Sequence, residues 1–127
     1  MRIIKKIGIA GVSAAFVVAG GAAFAGTSYV GYNTTVAPFN GSGYTGYQTK
    51  AITGAAGYLD SDSVGGSYKV DARMEGASDG DWARDITDGS FRYLYNKSGA
   101  GANVRVQFSN DWDTGVHVQV TGRWKSQ

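Results

Sequence analysis

Cysteine is absent from this chain of 127 residues, proline and histidine occur once each, and the only two leucines are Leu59 and Leu94. Without cysteine there is no disulfide framework, no thiolate ligand for zinc or iron–sulfur clusters, no thiol nucleophile and no lipidated cysteine at a processing site. With His117 as the lone histidine, a histidine-rich metal site is impossible, and any hydrolytic triad would have to be built on this one residue. No Gly-x-Ser-x-Gly elbow accompanies it.

The first 49 residues carry charge only at Arg2, Lys5 and Lys6. A basic end, an uncharged stretch from Ile7 to Val18 and the small-residue run Ala22-Ala23-Phe24-Ala25 before Gly26 form the pattern of a secretory signal peptide. Residues 1–25 are read as that leader, and 26–127 as a single secreted domain with no membrane span. A membrane anchor is the competing reading, but the second half of the stretch is Ala/Gly-rich and no basic cluster follows it. In style the leader looks bacterial.

Removal of Arg2, Lys5 and Lys6 leaves nine of the twelve basic residues against ten acidic ones. The sequence pI near 8.9 therefore belongs to the precursor. The remaining basic residues are scattered, so the phosphate-neutralising stripe of a nucleic-acid binder is missing.

What is present favours pleated structure: Val, Thr, Tyr and Phe recur between Gly, Asp and Asn. Residues 68–75 alternate apolar and charged without a break. Phe91, Tyr93 and Tyr95 share one side of a second segment, and Val104, Val106 and Phe108 one side of a third. A fourth segment, 116–125, aligns Val116, Val118, Val120 and Trp124, with His117 on the opposite, wet side. The polar run 110–115 between the last two segments predicts an antiparallel hairpin, and segments two to four a meander. Residues 28–36 and 44–53 read as further strands, Tyr58-Leu59 as a short one, and Trp82-Ala83-Arg84 as a helical turn. The sum is an all-β, small antiparallel β-sandwich of six to seven strands, with a small β-barrel as the alternative.

Chemistry is expected in the connections. Trp112 stands between Asp111 and Asp113 with Asn110 alongside, and Trp82 follows Asp81. An indole offers apolar contact to a sugar face or a protein side chain, and neighbouring carboxylate and amide oxygens accept from hydroxyls. The competing reading is that each ring folds back to cap the sandwich. The run Asp60-Ser61-Asp62-Ser63-Val64-Gly65 spaces two carboxylates as in the first half of an EF-hand loop, with Asp71 at the twelfth place, so Asp60 and Asp62 are the candidate calcium ligands. Four Gly-Tyr pairs, at 31–32, 43–44, 46–47 and 57–58, have no fixed period and mark either ordinary turns or a sticky aromatic surface. These features point to a non-enzymatic binding module for a glycan or protein on a cell surface. A self-assembling or bacteriocin-type toxin and a small acid-assisted hydrolase are the alternatives.

Overall fold

A computed structural model describes residues 24–127. The expected leader lies outside the described residues apart from Phe24 and Ala25. Two sheets, of six and four strands, pack face to face as a β-sandwich. In chain order the strands are β1 (Phe24–Ala25), β2 (Val30–Val36), β3 (Ser42–Tyr44), β4 (Gln48–Thr49), β5 (Gly57–Val64), β6 (Val70–Glu75), β7 (Ala83–Ile86), β8 (Phe91–Leu94), β9 (Asn103–Asn110) and β10 (Val118–Lys125). The larger sheet runs β1-β4-β9-β6-β7 and the smaller β2-β10-β5-β8.

Strand β9 organises the larger sheet. One edge pairs with β6 from Val70↔Asn110 to Glu75↔Arg105. Its other edge is shared end to end by β3 and β4. In the gap between them, Thr45 N–H donates to the Val106 carbonyl at 3.1 Å, and the Thr45 hydroxyl accepts from Val106 N–H at 2.9 Å. A threonine side chain thus stands in for a missing strand carbonyl, and two short strands act as one.

Alternation delivers the core. Val104, Val106 and Phe108 of β9 face Leu59, Val120 and Trp124 of the smaller sheet, all essentially inaccessible. Tyr32 and Phe108 bring ring centroids from opposite sheets to 5.1 Å. In β10, Gly122 lies where the register with β5 shifts, so that Asp62 has no partner across the pair. A Cβ on Gly122 would meet the Asp60 carbonyl oxygen at 2.4 Å and the Tyr32 hydroxyl at 2.6 Å, so the packing there admits only glycine.

Four expectations are corrected. The described residues form ten strands, because two short pieces, β3 and β4, stand where a single segment is expected over 44–53, and β1 and β7 are strands where none is expected. The expected helical turn at Trp82-Ala83-Arg84 is the start of β7, whose Ala83 pairs with Ala72. The acidic run 60–65 is mostly strand β5 and not a loop. Above all, β9 and β10 are not a hairpin and β8, β9 and β10 are not a meander: β9 belongs to one sheet, β8 and β10 to the other. Residues 111–117 cross between sheets, and Val116 is left exposed instead of facing inward.

Candidate functional site

The crossing 111–117 meets the turn between β2 and β3 at one end of the sandwich. In that turn Phe39 and Asn40 both adopt left-handed backbone, with φ of 55° and 58°. For a non-glycine pair, and for phenylalanine above all, this conformation persists only when the surroundings enforce it. Gly41 follows, where an added Cβ would strike Ala37 at 2.5 Å.

The enforcement is a network of backbone bonds. Phe39 N–H donates to the Thr114 carbonyl at 2.8 Å and Asn40 N–H to that of Asp111 at 3.3 Å. Asn110 N–H donates to Gly41 at 3.1 Å, and Thr114 N–H closes its own turn on Asp111 at 3.1 Å. The Asn110 amide reaches the carbonyls of Val36 at 3.2 Å, Ala37 at 2.9 Å and Val116 at 3.4 Å. Asn110 is buried, so its amide donors serve the architecture and are not offered to a ligand.

This scaffold holds two apolar rings in water. Trp112 is 74% exposed and Phe39 65%. The Phe39 ring lies over Gly115, where an added Cβ would come within 3.1 Å of it. Asp111 is half-buried and Asp113 exposed, and neither carboxylate has an ion-pair or hydrogen-bond partner among the described residues. No lysine or arginine occurs in 36–42 or 110–117, so the tip is purely acidic apart from exposed His117. Among the described residues the imidazole makes no side-chain hydrogen bond.

Trp82 belongs to a different place. It precedes β7 on the flank of the larger sheet, half-buried, with the Arg73 guanidinium carbon 4.4 Å and that of Arg84 5.5 Å from its ring. Arg73 also pairs with Asp79 at 3.3 Å, and Arg84 with buried Asp71 at 2.7 Å. Asp81 is exposed, and its N–H donates to the Tyr95 carbonyl at 2.9 Å. Trp82 thus sits in an ion-pair array, apart from Trp112.

Asp60 and Asp62 lie within β5. Asp60 accepts from Arg123 Nε at 3.0 Å, and Asp62 is exposed at the register shift. Asp71, twelfth in the EF-hand count, accepts instead from Arg84 and from Asp85 N–H at 3.0 Å. The loop that would bring these acids together does not exist. Among the described residues no group of three metal-ligating side chains gathers.

Sequence reasoning missed Phe39. The Pro38-Phe39-Asn40-Gly41 stretch announces a turn, but only the cross-loop bonds show that the ring is turned outward. Comparison with protein-family models, with curated proteins and with solved structures finds no match for the chain.

Proposed function

We propose that residues 26–127 are a secreted, non-enzymatic binding module that engages a glycan or protein through its acidic loop end. One observation carries the reading: Trp112 is wet, at 74% exposure, on a connection fixed to both sheets. Burying an indole is strongly favourable, and here it projects into water. The backbone on either side of it is held by the bonds of Asp111 and Thr114, so the loop loses little freedom when a partner covers it, which favours affinity. Phe39 extends the apolar contact, and Asp111 and Asp113 supply acceptors for hydroxyl or amide donors.

The test is a glycan array and cell-surface pull-down with residues 26–127 beside Trp112→Ala and Trp82→Ala. Trp112→Ala is expected to abolish binding, and Trp82→Ala to retain most of it. Undiminished binding by Trp112→Ala would remove the reading. Secretion is checked by the mass of the exported product, expected to begin at Gly26.

A further inference from the structure

The outer face of the smaller sheet carries an aromatic row that the loop end does not use. Registers Lys125↔Tyr58 and Tyr58↔Tyr93 align these three side chains across β10, β5 and β8. The Lys125 ammonium lies 4.9 Å from the ring centroids of both Tyr29 and Tyr58. The row continues from Tyr58 to Tyr93 at 5.5 Å, then to Phe91 at 5.3 Å and Tyr95 at 6.2 Å. Tyr93 is 50% exposed and Tyr95 59%. The outer face of a sandwich sheet is ordinarily polar, and a contiguous exposed apolar patch marks an interaction surface.

Charge along the row is uneven. Asp60 is answered by Arg123 at 3.0 Å. Lys125, and exposed Lys97 two residues after Tyr95, have no carboxylate partner among the described residues. The one unpaired acid of β5, Asp62, lies at the register shift, four positions along from Tyr58. The row is therefore amphipathic rings around an uncompensated ammonium already held against two of them.

We propose that this face is a second binding site, and that it takes an extended anionic polysaccharide laid across β10, β5 and β8. An open sheet face suits a linear chain better than a compact ligand, which needs concavity to be enclosed. Sugar CH faces pack on the tyrosine rings, whose hydroxyls meet sugar hydroxyls at the edges. A uronate carboxylate is the complement of Lys125.

The test titrates residues 26–127 with polygalacturonate and with its fully methyl-esterified form, which keeps the backbone and removes the charge. Polygalacturonate is expected to bind. Tyr93→Ala should weaken it by about fivefold to tenfold, the size of one lost aromatic contact, and Lys125→Gln should weaken it and flatten its salt dependence. The ester should bind more weakly, and Trp82→Ala, on the flank of the larger sheet, should bind as the parent does. Circular dichroism checks the fold of each variant, and Lys125→Gln, a change on a partly wet side chain, decides the matter if Tyr93→Ala does not fold. No polygalacturonate binding, or binding unchanged in the folded row variants, overturns the proposal. So does a row that proves to drive adsorption to phosphatidylglycerol vesicles, or self-association in sedimentation, while leaving polygalacturonate unbound. Loss of cell-surface binding in Trp112→Ala with polygalacturonate binding intact would show that the two faces act separately.

Discussion

The side-chain amide of Asn110, at the end of β9 in one sheet, donates to the carbonyl of Val36, at the end of β2 in the other, at 3.2 Å. The same nitrogen serves Ala37 and Val116, so one buried group ties together both sheets and both loops of the exposed tip. Asn110→Ala leaves three carbonyls without this donor. It is expected to cost about 3 kcal/mol, read as a lower urea midpoint at unchanged slope.

Trp112→Ala is the converse case. With most of its surface in water the ring contributes little to folding, so the melting transition should move by no more than a ~0.5 kcal/mol change implies, while binding is lost. Thermal denaturation beside the binding assay separates the two effects.

Gly122→Ala forces a methyl group against the Asp60 carbonyl and the Tyr32 hydroxyl. Backbone cannot yield there without breaking the β10–β5 pairing. The expected cost is about 2 kcal/mol or more, measured by chemical denaturation.

Tyr32 gives a pH signature. Burial pushes its hydroxyl well above the ordinary tyrosine range, with the neighbouring Ser61 hydroxyl a weaker opposing influence. Above about pH 10 the unfolded chain releases this proton while the folded chain keeps it, so stability falls as pH rises. Lys50 acts in the opposite sense. Burial lowers its affinity for a proton, so the unfolded state holds the proton more tightly and stability rises with pH below the ordinary lysine value. Tyr32→Phe should therefore be neutral to stabilising by about 1 kcal/mol at pH 7, and should lose the alkaline decline that the parent shows. Urea midpoints from pH 7 to 11 for both proteins check it.

Much of the fold was legible because β6, β9 and β10 each bury one face, and period two records that directly. The rule places Trp124 inward, and it is buried. The rule is silent on which sheet a strand joins, hence the false hairpin over 110–115: a short polar connection looks the same whether it reverses within a sheet or crosses between two. It is equally silent on which side of a strand is wet. Phe91, Tyr93 and Tyr95 do share a side, but that side faces water, because Leu94 fills the interior and the Arg92 guanidinium turns back to the β7 carbonyls of Arg84 and Asp85. Of strand β5 only Tyr58-Leu59 reads as strand in the sequence, because the Asp and Ser of residues 60–63 favour turns locally. Pairing on both edges, with β10 and β8, overrides that preference.

Strand β10 lies between β2 and β5, and neither of its neighbours is near it in the chain: Val118 sits opposite Val36, and Val120 opposite Val64. The smaller sheet therefore cannot zip up from a local nucleus. Its assembly waits on the closure of two long loops, which places the domain among slow-folding β topologies. Until β10 inserts, β2 and β5 keep open edges able to recruit other chains, so the time taken to acquire this strand governs how much of the newly made polypeptide is exposed to aggregation.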